Sequence, residues 1–312
     1  MEILLIGAGY MAKEYGKVLK GLNKPFKVFG RGKESAKEFE KEIDVSVNTN
    51  GLENLRKVSK NAVAIVAVDM MSLAPITKTL IKLGVKKILL EKPGGKDFTE
   101  IKSLANFAKS TTTEIYIAYN RRYYASVIEA MKIIEKDGGV SSFNFEFTEW
   151  AHIIGSLKKP AHIKENWLLG NSTHVIDLAF YLGGIPKEIS TFTAGSMNWH
   201  KRASKFAGAG KTKNNCLFSY FADWKAPGRW GVEIMSEKHK AILRPLEKLK
   251  IQKLGSIEIN DILIDDFLDI KYKPGLFLQT KEFLANKKSI KLKTIEHQAK
   301  EIPILKKILG ER

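Results

Sequence analysis

The chain has 312 residues, 44% of them hydrophobic, and 52 Lys and Arg against 34 Asp and Glu give it a formal net charge of +18. That length suits about two domains, and no stretch approaches the roughly 20 apolar residues of a membrane span. One cysteine, Cys216, and six scattered histidines exclude an intrachain disulfide and any metal site of familiar spacing.

The first residues, Met1-Glu-Ile-Leu-Leu-Ile6, predict a strand buried on both faces, followed by Gly7, Gly9 and Ala12 in the spacing G-x-G-x-x-A. Each small residue has a task where a strand turns into a helix. Gly7 permits the tight turn, Gly9 lets a diphosphate approach the backbone beside Tyr10 and Met11, and Ala12 keeps the helix close to the sheet. The free N–H groups of that helix, predicted over 12–22, suit an anion. The strand enters without a basic, apolar and cleavable leader, so a cytoplasmic protein is expected.

A second strand, 26–29, ends at Gly30-Arg31-Gly32-Lys33-Glu34-Ser35. A carboxylate at this tip accepts from the ribose 2′-OH of NAD, whereas an Arg accommodates the 2′-phosphate of NADP. Here the tip holds Arg31, with Lys33 and Ser35 near it, so NADP(H) is expected over NAD(H). Helix 35–43, a short strand at 45–48 and helix 52–59 lead to the apolar strand 62–68, whose end at Val68, Asp69 and Met71 falls at the ligand-binding edge of the sheet. Helix 75–83, strand 85–90, helix 99–110 and strand 114–118 complete an alternation that predicts a doubly wound parallel sheet over residues 1–118.

The pattern then changes. Helix 125–136 is followed by alternating Phe143, Phe145 and Phe147, by segments 216–224 and 230–236 that look like a hairpin, and by short strands at 241–243, 248–253 and 256–259. Helices are predicted at 274–285 and 295–309, and Asn171 or Ser172 caps a further helix running to Gly183. Residues 119–312 are therefore read as an α+β domain on a mostly antiparallel sheet with one open face, which suits a homo-oligomer, dimer or tetramer. Ala207-Gly-Ala-Gly210-Lys211-Thr212 imitates a phosphate loop, but Lys205 stands where its first glycine belongs, and a flexible loop is expected. The lysines, among them Lys37, Lys41, Lys57, Lys60, Lys102 and Lys109, are scattered without interleaved aromatics, so no nucleic-acid partner is expected.

Glu91-Lys92-Pro93 at a strand end, Asn120-Arg121-Arg122-Tyr123, and His174-x-x-Asp177 at a helix start resemble the glucose–fructose oxidoreductase and inositol dehydrogenase family along essentially the whole chain. The resemblance implies an NAD(P)-dependent oxidoreductase acting on a sugar or nucleotide-sugar. It places Lys92 beside the nicotinamide, where an ammonium stabilises developing alkoxide, and implies a cis peptide before Pro93. His174 is the acid–base partner; Glu91, Asn120 and Arg121 belong to the cofactor, and Tyr123, Trp150 and Trp167 face the substrate, with His152, Lys164 and Arg202 as further pocket candidates. Where polyol-oxidising members carry an Asp four residues before the histidine, this chain has Gly170. That departure tells against polyol oxidation and leaves carbonyl reduction, an altered substrate or a non-catalytic dinucleotide-binding regulator open; a glycoside hydrolase of the same family is a further alternative.

Overall fold

The computed structural model describes residues 1–55, 59, 61–285 and 289–311. Two compact units emerge, Met1–Tyr119 with Lys271–Lys300, and Asn120–Ile270 with Glu301–Arg312. The second crossing, by which 271–300 rejoin the first unit, is a feature the sequence reading did not contain.

In the first unit, β1 (Ile3–Ile6), β2 (Lys27–Phe29), β3 (Val47–Asn48), β4 (Val63–Val66), β5 (Lys87–Leu90) and β6 (Glu114–Ile117) lie parallel in the order β6-β5-β4-β1-β2-β3. All four residues of β1 and of β4 are buried, as their unbroken apolar runs require when helices cover both faces. Those helices are α1 (Tyr10–Gly21), α2 (Lys33–Ile43), α3 (Leu73–Lys82) and α4 (Phe98–Lys109). The sheet winds one way through β2 and β3 and the other way through β4 to β6. The carboxyl ends of β1, β2 and β4 therefore open a crevice where the winding reverses. The helix predicted over 52–59 is a 3-10 turn at Gly51–Leu55; its continuation and Lys57 and Lys60 lie outside the described residues.

The second unit holds α5 (Ala125–Lys136), β7 (Ser142–Glu146), α6 (Ala151–Ser156), α7 (Ala161–Glu165), α8 (Thr173–Gly183), β8 (Pro186–Ala194), β9 (Lys205–Thr212), β10 (Leu217–Asp223), β11 (Gly231–Met235), β12 (His239–Leu243), β13 (Lys250–Lys253) and β14 (Ile259–Asp261). Its sheet runs β14-β13-β12-β11-β7-β10-β9-β8, antiparallel except for the β7–β10 pair. The mixed α/β architecture expected from the sequence is thus present. One face rests on α8, which is apolar nearly all round and buried. Phe180 meets Phe145 and Phe218 edge-on at 5.5 and 5.4 Å, and a Cβ on Gly183 would fall 2.1 Å from the Phe143 ring. The other face carries exposed Phe192, Leu217 and Phe221, with Phe192 and Phe221 aligned across Ala207.

Two expectations are corrected. The segments around Ala226-Pro227-Gly228-Arg229 do not pair with each other, because β7 lies between β10 and β11. Residues 207–212 are not a loop but most of strand β9. Their glycines make room for rings on the neighbouring strand, since a Cβ on Gly208 would meet Tyr220 at 2.5 Å and one on Gly210 would meet Phe218 at 2.7 Å.

Past the short helix α9 (Phe267–Lys271), the chain forms α10 (Leu276–Leu284), then β15 (Lys293–Thr294), which adds antiparallel to the edge of β6, and α11 (Ile295–Ile308).

Candidate functional site

In the first unit a cleft of about 1050 Å³ occupies the crevice between β1, β2 and β4. Gly7, at φ +121°, passes so close to β4 that a Cβ would sit 2.2 Å from the Ala67 carbonyl oxygen. Gly9 is the N-cap of α1, and a Cβ there would meet nothing within 4 Å, so its backbone faces open space. No side chain caps α1, and its first turn holds no acidic residue. Uncapped N–H groups at the positive end of a twelve-residue helix, reached past a bare glycine, fit a dinucleotide's diphosphate. Tyr10, Met11, Val68 and Asp69 line the cleft with Gly7, Gly9 and Arg31. Ala12 does not line it; fully buried, it lets α1 approach the sheet.

Arg31 is exposed, and its Nη2 donates to Ser72 Oγ at 3.2 Å and lies 3.5 Å from Asp69 Oδ2. Asp69 also accepts from Ser72 Oγ at 2.7 Å and from the backbone N–H groups of Met71 and Ser72. Lys33 opens α2 on the surface, and Ser35 Oγ donates to the Gly32 carbonyl; neither lines the cleft. Sequence reasoning placed Met71 at the ligand-binding edge but missed Gly51, Ser72 and Ile76 in the lining. Their placement depends on the turn after β3, the loop after β4 and the first turn of α3 rather than on any motif.

Below the cleft, β5 delivers Glu91, which is 8% exposed. Tyr15, fully buried on α1, donates from its hydroxyl to Glu91 Oε1 at 2.9 Å. Burial pushes the Glu91 carboxyl above its ordinary range, while Lys92 and the Tyr15 hydrogen bond pull the other way. Glu91 does not line the cleft; it sits behind it. Lys92 follows, half-buried, and the Lys92–Pro93 peptide is cis, as the resemblance implied. The returning segment contributes here too. Gln298 Nε2, buried on α11, donates to the Pro93 carbonyl at 3.3 Å and to Tyr119 Oη at 2.9 Å, and Lys273 Nζ stands 5.2 Å from the centre of the Tyr10 ring.

In the second unit the predicted residues gather around the start of α8. His174 is 7% exposed, with its ring 6.1 Å from that of Trp230. Asp177 receives Arg122 in a two-pronged pair, Nε to Oδ2 at 2.8 Å and Nη2 to Oδ1 at 2.7 Å. Asn120 and Tyr123 are buried. Ser172 stands at the N-cap of α8 as expected but makes no side-chain cap hydrogen bond, the helix being entered through a π-helical turn at Leu168–Ser172. The side chains of Asn171 and Ser172 turn instead to Glu149. Ser172 Oγ donates to Oε1 at 2.7 Å, Asn171 Nδ2 donates to both oxygens at 3.0 and 3.1 Å, and Arg229 Nη1 lies 3.3 Å from Oε2. Burial raises the Glu149 carboxyl despite these donors. A carboxylate thus reaches the two residues after Gly170 from a different element. Glu149, Arg229 and Trp230 were not singled out from the sequence, where nothing distinguishes a buried acid after a strand from a surface one.

Arg229 lies over the rings of Trp150 at 5.0 Å and Trp230 at 4.5 Å, and Arg121 lies over Trp230 at 4.7 Å and Tyr124 at 5.9 Å. Rings and guanidinium groups therefore alternate from Trp150 to Tyr124. Of the remaining candidates, Trp150 donates to the Gly228 carbonyl, Trp167 packs edge-on against Trp199 at 6.3 Å, and Lys164 donates to the Gly155 carbonyl. Arg202 pairs with Glu311, and His152 opens on a separate hollow beside Lys201 and Lys225. Among the described residues no cluster of ligands could hold a metal ion, and no helix is long and apolar enough to cross a membrane.

Residues 1–119 match the family model described as "Oxidoreductase family, NAD-binding Rossmann fold". No curated protein sequence matches the chain. Among solved structures, UDP-N-acetylglucosamine 3-dehydrogenase from Acidithiobacillus ferrooxidans is 14% identical, with a TM-score of 0.75 over 99% of this chain and 97% of that one. A dehydrogenase from Clostridium difficile is 19% identical, with a TM-score of 0.77 over 99% of both chains. Levoglucosan dehydrogenase in complex with NADH is 16% identical, with a TM-score of 0.78 over 99% and 96%. At these identities the likeness shows a shared fold along the full chain.

Proposed function

We propose, from a chain whose residues 1–119 match the model of the oxidoreductase family with an NAD-binding Rossmann fold, that this protein transfers hydride between NADP(H) and a hydroxyl or carbonyl group of a sugar or nucleotide-sugar. The observation that carries the reading is the uncapped, acid-free start of α1 behind the bare Gly9, at the floor of a cleft of dinucleotide size. The cofactor supplies hydride acceptance and donation at the nicotinamide ring. The sugar class is supported by the likeness to the UDP-N-acetylglucosamine and levoglucosan dehydrogenases.

Lys92 and His174 are assigned the proton traffic by the family resemblance. In the oxidative direction the substrate C–H bond yields its hydride and the hydroxyl proton passes to one of these two bases; reduction returns both. With His174 taking the proton, the Lys92 ammonium hydrogen-bonds the substrate oxygen and stabilises it as alkoxide character grows. Glu149 supplies a carboxylate beside Asn171 and Ser172, partly offsetting the acid that Gly170 lacks.

NADP(H) is preferred because no carboxylate but Arg31 ends β2, and a 2′-phosphate is a stronger partner for it than the exposed Asp69. The open face bearing Phe192, Leu217 and Phe221 suits a homo-oligomer, to be checked by light scattering. The test of the function is a parallel titration with NADPH and NADH followed by nicotinamide fluorescence, then a turnover screen of sugars and keto sugars. Tighter NADPH binding that weakens in Arg31→Ala, with turnover abolished in Lys92→Ala, supports the reading. Binding of neither nucleotide, or parent turnover in Lys92→Ala, overturns it.

A further inference from the structure

Arg121 is a half-buried guanidinium held between two rings, Trp230 at 4.7 Å and Tyr124 at 5.9 Å. Its Nε is buried and meets no acceptor. Among the described residues no carboxylate forms an ion pair with it; Arg122 beside it takes Asp177, and Arg229 takes Glu149. Burial pulls its pKa down and Arg229 adds to that, while Tyr124, Glu247 and Glu149 pull the other way without forming an ion pair with it. A guanidinium keeps its charge in a protein and presents five donors in a rigid plane. Leaving such a group partly desolvated without an acceptor costs free energy that native structures rarely leave uncompensated. The stacking is not a sufficient explanation, because a ring attracts the guanidinium's charge and gives its buried Nε no acceptor.

We propose that Arg121 receives an oxyanion of the substrate, a carboxylate or a phosphoryl group, with the Trp230 ring holding the guanidinium in place for it. This deepens the sugar reading above and rests on it: the substrate is an acidic sugar, a sugar acid or a sugar phosphate, rather than a neutral polyol. It also moves Arg121 from the cofactor set, where the family resemblance put it, to the substrate set. The adjoining residues agree in chemistry. Trp230, over which Arg121 lies, is also the ring neighbour of His174, and Arg229, also over Trp230, gives the cluster a second positive charge.

The experiment is calorimetric titration of the full chain, first with NADPH and NADH and then, with cofactor present, with glucuronate, glucose 1-phosphate, glucose and inorganic pyrophosphate. The expected result is binding of glucuronate or glucose 1-phosphate at least tenfold tighter than glucose. Arg121→Gln lowers that affinity at least tenfold, Arg121→Lys recovers part of it, and cofactor affinity stays unchanged in both. Preference for glucuronate identifies a carboxylate, preference for glucose 1-phosphate a phosphoryl group. Equal binding of glucose and the acidic sugars overturns the proposal. So does an Arg121→Gln chain, folded by circular dichroism, that binds acidic sugar as the parent does. Loss of cofactor affinity in Arg121→Gln, or tight pyrophosphate binding that depends on Arg121 only without cofactor, assigns the oxyanion to the dinucleotide and overturns it as well. Should the parent bind acidic sugars through Arg121 but neither nucleotide, the anion site stands and the oxidoreductase reading falls.

Discussion

Arg122 and Asp177 are 55 residues apart in the chain and form two parallel hydrogen bonds of 2.8 and 2.7 Å. This pair ties the Asn120-Arg121-Arg122-Tyr123 motif to the His174-x-x-Asp177 motif, so the two stretches that most distinguish the sequence meet within one unit. The Asp177 side chain is 2% exposed and that of Arg122 10%. Removing one partner therefore takes from a buried charge its two-pronged counterpart. Arg122→Met or Asp177→Ala is expected to lower unfolding free energy by about 3–5 kcal/mol, read by urea denaturation, whereas the double substitution loses less than the sum.

The two glycines of the first turn fail in different ways. Gly7→Ala places a methyl 2.2 Å from the Ala67 carbonyl oxygen at a φ of +121°, and is expected to cost roughly 2–4 kcal/mol in thermal or chemical unfolding. Gly9, at φ −82°, tolerates a Cβ with no contact inside 4 Å. Gly9→Val is expected to keep the melting temperature within a few degrees of the parent while weakening nucleotide binding at least tenfold. A Gly9→Val chain that bound nucleotide normally would place the diphosphate elsewhere.

Glu91 gives a pH signature. Burial raises its folded pKa above the ordinary 4.5, so the folded state favours the protonated form. Its stabilising contribution is complete below about pH 4.5 and is lost as pH rises through the folded value. Glu91→Gln keeps an acceptor for Tyr15 without the charge. The melting temperature of Glu91→Gln relative to the parent is expected to rise between pH 4 and pH 7; a flat or falling difference contradicts the burial argument. Tyr15→Phe, which removes the donor at 2.9 Å, is expected to cost about 1–3 kcal/mol.

Ser172 is a sharper probe of the Glu149 cluster than Arg229, because its hydroxyl reaches a fully buried oxygen at 2.7 Å. Ser172→Ala is expected to cost about 1–3 kcal/mol. Ser156→Ala, whose hydroxyl donates to a carbonyl at an exposed position, is expected to stay within about 0.5 kcal/mol. Equal losses in the two variants would mean that Glu149 takes its support from elsewhere.

Most of the first unit was legible because its signals are local. An apolar run long enough for one strand, a glycine pair at a turn and an amphipathic helix each occupy a few consecutive residues, and β1, α1, β4 and β5 appear within two or three residues of where the pattern puts them. Helix α5 runs from Ala125 to Lys136 as its periodicity predicts. The glycines at 208 and 210 misled the reading because their purpose is to admit rings from β10, a neighbour invisible to local pattern.

By itself, then, the sequence determined the alternation of strands and helices, the turn that exposes Gly9 and the burial of Phe143, Phe145 and Phe147, since each follows from spacing within a single element. Only the tertiary structure decided that β7 separates β10 from β11, that residues 271–300 return to brace Pro93 through Gln298, and that Glu149 meets Asn171, Ser172 and Arg229. Strand order, burial of a charge and the partner that compensates it are set by residues distant in the chain. The environment of Arg121 is of that kind: the motif shows an arginine, and only the packing around Trp230 shows its Nε buried without an acceptor.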